Sequence, residues 1–402
     1  MQKVPTTLNC HIAANLLSHR LPIIASVEQD DVMSLAGRRF ITEGAFPMKK
    51  KLIAIAVGAA MAVPVVAMAD VNFYGRAHVS VDYLDDGADY SETNLSSNSS
   101  RLGFKGDHQI NPDLNAFFQI EQQINFTTGS SDSGSTSFAT RDTFVGLGGN
   151  FGAVQLGRFD SPFKVARGPA NLFGDQVGDM RNLTRFGNGR FDERYDNTIQ
   201  YTTPTMGGFN AKLAYSMYEG QWAVEDTDSD AISMSLNYAG GPLEASLAYE
   251  KVEEDQERGE RDGIRAAAAY KLTDAFKLVG FYQTVDHDSP IEASRDAWSS
   301  DVYGLGGEYA IAKNTALKAM WMTRDSDADD ADADMWVVGV EHKLDKAVRV
   351  YANYAVLDND DNSAQVPWEQ ARSANVRNNA ALGVAAAGEK ASGLSVGLRY
   401  DF

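Results

Sequence analysis

The connections between strands constrain this chain more than anything inside them. From Asp70 to Phe402 the sequence runs in segments of about nine to twelve residues that alternate apolar and polar side chains with period two. Phe73, Ala77, Val79, Val81 and Tyr83 fall on one parity of the first segment, and Tyr74, Arg76, His78, Ser80 and Asp82 on the other. Each segment therefore reads as a strand between an apolar and a polar environment. Leu243, Ala245, Leu247 and Tyr249 oppose Glu244, Ser246, Ala248 and Glu250 in the same way, and Leu394, Val396, Leu398, Tyr400 and Phe402 oppose Ser395, Arg399 and Asp401.

Sixteen such segments are joined by connections that are short and long in strict turn. Short turns fall at Asn111-Pro112-Asp113, Gly148-Gly149-Asn150, Pro204 to Gly208, Gly240-Gly241-Pro242, Thr273-Asp274, Ala312-Lys313-Asn314 and Leu344-Asp345-Lys346, with residue types that suit tight hairpins. Long polar stretches occupy roughly 85–98, 127–137, 160–194, 219–230, 252–262, 286–300, 325–334 and 358–391. A soluble sandwich or propeller has no reason to sort its connections by side. A sheet crossing a membrane does, because its two ends face different compartments. Inside hydrocarbon every backbone polar group needs an internal partner, so the sheet must close. A closed sheet of this many strands leaves an aqueous lumen that wall side chains alone cannot fill. The expected fold is all-β: a transmembrane, 16-stranded antiparallel β-barrel.

The segment ahead of the barrel has two parts. Met48 opens a basic stretch (Lys49, Lys50, Lys51), an apolar run from Leu52 to Val66, and the small-residue triplet Ala67-Met68-Ala69. That is the tripartite form of a secretory signal peptide over residues 48–69, and it predicts a mature chain beginning at Asp70. The competing reading, a membrane anchor, suffers from the short run, from Pro64 and from the lack of following stop-transfer charges. Residues 1–47 then read as an upstream extension from a start assigned too early. They hold Cys10, the single cysteine, so residues 70–402 offer neither a disulfide nor a thiolate metal site. Removing residues 1–69 takes away seven Lys/Arg and four Asp/Glu, so the net charge of −19 becomes −22. Such a chain suits no nucleic acid partner.

Residues 160–194 stand out among the long connections. They carry Gly, Pro, Asn and both signs of charge without strand alternation. A connection this long in a compact domain usually has a function. Its mixed charge, and three arginines aimed into the same lumen from strands one, two and four, favour an inward fold of this third loop; the alternative is that it splays outward like the other long connections. The acidic outer stretches 252–262 and 325–334 read first as a solvated surface and second as a site for divalent cations bridging to lipopolysaccharide. Asp325, Asp327 and Asp329 have alternate spacing, but the central Gly and terminal Glu of an EF-hand are absent.

Signals of enzymatic chemistry are weak. Gly393-Leu394-Ser395-Val396-Gly397 matches a nucleophile-elbow pattern, yet it lies within the last strand with no histidine after it. No P-loop, dinucleotide fingerprint or paired-histidine metal motif occurs. No catalytic residue, cofactor or metal is expected.

Taken in order, several motifs resemble the general, non-specific porins of Gram-negative outer membranes. They are the first strand VNFYGRAHVSVDYL, Ser100-Arg101-Leu102-Gly103-Phe104-Lys105-Gly106, Ile110 to Leu114, Thr140-Arg141 with Phe144 to Leu147, Leu156-Gly157-Arg158, Asp196 to Tyr201 with Pro204 and Gly207-Gly208-Phe209, and the terminal Tyr400 and Phe402. The resemblance implies a trimeric barrel in the outer membrane, in contact with lipid and lipopolysaccharide, passing small hydrophilic solutes and ions by passive diffusion. A substrate-specific channel for sugars or an anion is the alternative. It further implies an eyelet in which acids of the inward loop face a ladder of wall bases. By position these are Arg76, Arg101 and Arg141, with Arg190 or Arg194, against Asp175 and Asp179. The acidic outer loops lead to an expected weak preference for cations.

Overall fold

The computed structural model describes residues 70–88, 90–128, 138–185, 191–217, 230–255, 259–370, 372–374 and 387–402. Residues 1–69 and Arg190 lie outside them. The wall begins with β1 (Asp70–Asp85), β2 (Ser91–Asn98), β3 (Arg101–Asn111), β4 (Leu114–Gln123), β5 (Thr143–Gly149), β6 (Gly152–Asp160), β7 (Arg194–Thr202) and β8 (Phe209–Ser216). It continues through β9 (Ala231–Gly240), β10 (Leu243–Asp255), β11 (Gly259–Lys271), β12 (Phe276–Asp288), β13 (Ser300–Ala312), β14 (Thr315–Ser326), β15 (Ala333–Lys343) and β16 (Val348–Asn359). A short β17 (Arg372–Ala374) in the last long connection pairs with β2, and β18 (Lys390–Asp401) ends the wall. Every neighbouring pair is antiparallel, and β18 pairs with β1 from Arg76↔Asp401 to Asp85↔Ser392. Since β2 and β3 both pair with β1, they are two halves of one stave broken at Ser99-Ser100. The barrel is therefore closed and has sixteen staves.

Apolar side chains of one parity cover the outside, including Val81, Val145, Leu213, Leu247, Leu305 and Val338. Aromatic residues gather toward both rims. Phe73 meets Phe104 and Phe402 near the short-turn end, and Tyr303, Trp321 and Trp336 form a chain near the long-loop end. Such paired girdles mark the two interfaces of a membrane barrel.

Several long connections are shorter than their polar composition suggested. Residues 91–98 are strand β2 rather than loop, in register with β1 from Asp85↔Ser91 to Val79↔Ser97. Ser and Asn can serve there because the inner side of this stave is enclosed and polar. Ser80, Asp82, Ser96, Asn98 and Ser395 are all buried and joined by hydrogen bonds. The 252–262 and 325–334 stretches are likewise hairpins whose strands extend to Asp255 and Gly259, and to Ser326 and Ala333.

Residues 161–185 and 191–193 fold into the lumen. Ser161 caps α1 (Pro162–Ala166) by accepting the Lys164 amide at 3.1 Å, with Pro162 at the first helical position. A 3-10 turn follows at Gly168–Ala170, then α2 (Arg181–Thr184). A third helix, α3 (Glu292–Trp298), lies in a later outer connection. Leu172, Phe173, Val177, Met180 and Leu183 of the inward loop are buried against Met320, Met335, Val337, Ala355 and Leu357 of the wall. Burying each large side chain contributes about 1.5–3 kcal/mol. This explains why β11 to β16 carry Ala267, Val279, Val302, Met320, Met335 and Ala355 on the inner parity, where a water-filled lumen calls for polar residues.

Wall glycines provide the notches for these side chains. A Cβ on Gly339 would lie 3.0 Å from the Phe173 ring, and one on Gly306 would lie 3.1 Å from Leu172. A Cβ on Gly393 would lie 2.8 Å from Val177. A second segment also folds inward: in the last connection Val366 and Trp368 are buried, and Pro367 O accepts the Gly178 amide at 2.7 Å. Gly393→Val should overpack this contact and cost about 1–3 kcal/mol. A lowered temperature for loss of the heat-resistant folded band on gels would report it, and an unchanged temperature would show that the notch is not needed.

Candidate pore constriction

The inward loop lies along one side of the lumen. Its first helix meets β9 and β10, and its apolar residues follow the wall around to β16 and β18. The tip then reaches β1. Asp175 sits at the turn with φ of 63°, a conformation rare for a residue with a side chain. The turn is held because the Asp175 amide donates to Asp179 Oδ2 at 2.7 Å. The Asp175 carboxylate accepts from Arg181 at 2.8 Å and from Arg76 Nη1 of the wall at 3.2 Å. Burial alone would raise its pKa. Arg181, Arg101 and Arg76 outweigh burial and hold it well below the usual carboxylate range.

Register explains how the wall bases come together. Arg76 and Arg101 are direct cross-strand partners on β1 and β3. Arg141 enters just before β5, where its Nε donates to Glu121 Oε1 at 2.5 Å and its amide donates to Glu121 O at 3.0 Å. Arg101 lies 3.8 Å from the same carboxylate. Glu121 on β4 is thus an acid standing between two of the bases, and Tyr74 OH also donates to it at 2.9 Å. On the other side Arg76 Nε donates to Asp401 Oδ1 at 2.7 Å. Asp401 also pairs with Arg399 and Arg349, and Glu341 pairs with Arg349 and with Lys318 at 2.9 Å.

The expected site residues therefore divide. Arg76, Arg101, Arg141 and Asp175 belong to one continuous charged arc that runs from β14 across the seam to β5. Asp179 does not reach the lumen. It is fully buried, and its carboxylate accepts the Arg181 amide at 2.9 Å and side chain at 2.5 Å, so it organises the loop from within. Arg194 joins a separate cluster with Asp142, Asp160 and Lys164. Arg190 is outside the described residues. Glu121, Lys318, Glu341, Arg349, Arg399 and Asp401 are members that motif order alone did not single out. Their signal in the sequence is weak: each is one polar position among many on the lumen parity.

Ser395 lies within β18, enclosed, and its hydroxyl donates to Asp82 Oδ1 at 2.6 Å. Among the described residues no three acidic, histidine or cysteine side chains group as metal ligands.

A closed sixteen-stave barrel with an inward loop and a charged inner arc has clear relatives. The Gram-negative porin family matches residues 54–362. Outer membrane porin protein 32 of Delftia acidovorans is 32% identical over 367 residues, covering 88% of this chain and all of that one. The chain belongs to the Gram-negative porin family. Major outer membrane protein P.IB of Neisseria sicca is 28% identical over 275 residues, 63% of this porin and 74% of the relative. Among solved structures, an anion-selective porin from Comamonas acidovorans superposes with a TM-score of 0.70 at 26% identity, over 83% of this porin and all of that chain. OmpT of Vibrio cholerae, in its trimer form, shares the fold with a TM-score of 0.58 at 17% identity, over 83% and 99% of the two chains. The porin is an outer-membrane channel.

One titration belongs to the loop itself. Burial pushes the Lys164 amine down to about 7, against the opposing pull of Asp160 at 3.3 Å. Between that value and the ordinary 10.5 the unfolded chain holds the extra proton. Stability should therefore rise with pH across this window and level off below it. Denaturation in detergent at a series of pH values should show this slope, and Lys164→Met should flatten it; an identical slope in the variant would exclude the amine as its source.

Proposed function

We propose that this porin is a general diffusion channel whose aperture is set by residues 161–185 and 191–193 and whose lining at that level is the charged arc of Arg76, Arg101, Arg141, Glu121 and Asp175. The observation that carries this reading is the Arg76–Asp175 contact, which brings the loop tip against the wall beside Arg101. Fixed charges of both signs around a narrow section give a field across it. A polar solute gains from that field and can replace its hydration with wall contacts, whereas an apolar solute gains nothing. Passage is passive and involves no bond change, so the reading is non-enzymatic. Purified protein should give discrete conductance steps in planar bilayers; a preparation of folded barrels that gives none would overturn it.

Anions are favoured at this level. The bases Arg76, Arg101, Arg141, Lys318, Arg349 and Arg399 outnumber the acids Glu121, Asp175, Glu341 and Asp401 in the arc. This reverses the weak cation preference expected from the outer loops, because current is limited where the passage is narrowest. The anion-selective relative supports the same sign. The reversal potential in a KCl gradient should indicate anion preference, and Arg101→Gln should shift it toward cations. A wild-type potential of cation sign would refute this assignment.

The working unit is taken to be a homotrimer embedded in outer-membrane lipid and lipopolysaccharide, a reading supported by the family resemblance and by the trimer form of OmpT. Export is taken to remove residues 48–69. Intact-mass measurement of the membrane form should give a chain starting at Asp70.

A further inference from the structure

The inward loop is long, yet three of its separated points converge on two side chains of β11 and β12, the staves its first half packs against. Arg265 of β11 and Gln283 of β12 are direct cross-strand partners, and both are fully enclosed. The Arg265 guanidinium lies 4.0 Å from the centre of the Phe163 ring and donates to Phe163 O at 2.8 Å. That is the start of the loop. The same guanidinium donates to Asp192 Oδ1 at 2.9 Å, at the loop's exit. Its Nε donates to Gln283 Oε1 at 3.0 Å, and Gln283 Nε2 in turn donates to Thr184 O at 2.9 Å, at the end of α2.

The exit is itself well prepared for this contact. Asp192 is buried, and Arg167 lies 3.5 Å from it and Arg185 3.9 Å. Burial would raise its pKa, but Arg265 and Arg167 outweigh burial and bring it down to about 2. Its amide donates to Glu250 Oε1 of β10 at 2.8 Å, and Tyr195 OH donates to the same oxygen at 2.8 Å. Asp192 therefore stays ionised, and a guanidinium with a planar fork of donors can serve the carbonyl, the carboxylate and the amide oxygen at once.

We infer that Arg265, acting with Gln283, is the fastening that holds the constriction loop against the β11–β12 wall and so sets the aperture. It touches no permeating solute; it is a positioning residue. The inference rests on the porin reading. The apolar contacts in the glycine notches hold the middle of the loop, whereas the two legs converge on the Arg265–Gln283 pair. Without it, the legs lose their common anchor and the loop samples positions away from β11.

The test is single-channel recording of the full-length protein, with barrel folding checked by heat-modifiable mobility and thermal unfolding. Arg265→Leu should raise conductance by about twofold, since current scales with the open section. It should also add open-channel noise and admit larger sugars in liposome swelling. Gln283→Leu should act in the same direction with smaller effect, and Arg265→Lys should restore part of the wild-type behaviour. Lys251→Ala, on the outward side of β10 in a pair with Glu260, should match wild type. Should Arg265→Leu fail to fold, Asp192→Asn removes the charge from the same contact and should widen the channel likewise. Folded Arg265→Leu, or folded Asp192→Asn in its place, with wild-type conductance, noise and size limit would overturn the inference. Wild-type protein without conductance would instead overturn the porin reading.

Discussion

A backbone amide left unpaired in hydrocarbon costs several kcal/mol, and the β1–β18 seam removes the last free edge of this sheet. The rest of the structure depends on that closure. Sixteen staves joined edge to edge satisfy the wall, but they enclose a lumen too wide to be selective. The chain responds by spending one long connection on the inside. Closure also brings Arg76, near the start of the barrel, against Asp401, the penultimate residue. The charged arc therefore exists only in a ring that has closed in this register.

The inward loop is held by two kinds of contact with different tolerance. Apolar side chains enter notches left by Gly306, Gly339 and Gly393, where added volume has nowhere to go. Buried ionic groups fasten the ends, where the loss of one partner leaves another charge enclosed. The segment around Pro367 and Trp368 braces the loop tip from the last connection, through the Gly178 amide and the packing of Val177. An apolar inner wall beneath a polar passage is the consequence. It also explains why period-two alternation is less distinct in β14 and β15, where Met320, Met322, Met335 and Val337 face inward.

Part of the charged arc was legible in advance, and the parts that were not share a cause. Arg76, Arg101 and Arg141 were readable because strand parity is local and motif order placed them on neighbouring staves. Asp175 and Asp179 looked equivalent, since both are acids in the same loop. The turn at Asp175 separates them: one carboxylate reaches Arg76, and the other turns back to Arg181 and its amide. Glu121, Glu341 and Asp401 were invisible as members of the arc, because being on the polar parity does not say which base stands opposite. Residues 91–98 misled for a related reason. Their serines and asparagines look like loop, and only the enclosed polar seam makes them a strand.

The sequence by itself determined the barrel, its number of staves, the sorting of short and long connections to opposite ends, and that residues 160–194 are exceptional. Those properties follow from period-two alternation and connection length, which act over a few residues at a time. The tertiary structure alone decided where that loop lies, which of its acids meets the lumen, and that Arg265 and Gln283 receive it. These contacts join residues 73 to 102 positions apart. They depend on register carried around a closed ring and on the path of a loop through its interior, and no local pattern encodes either.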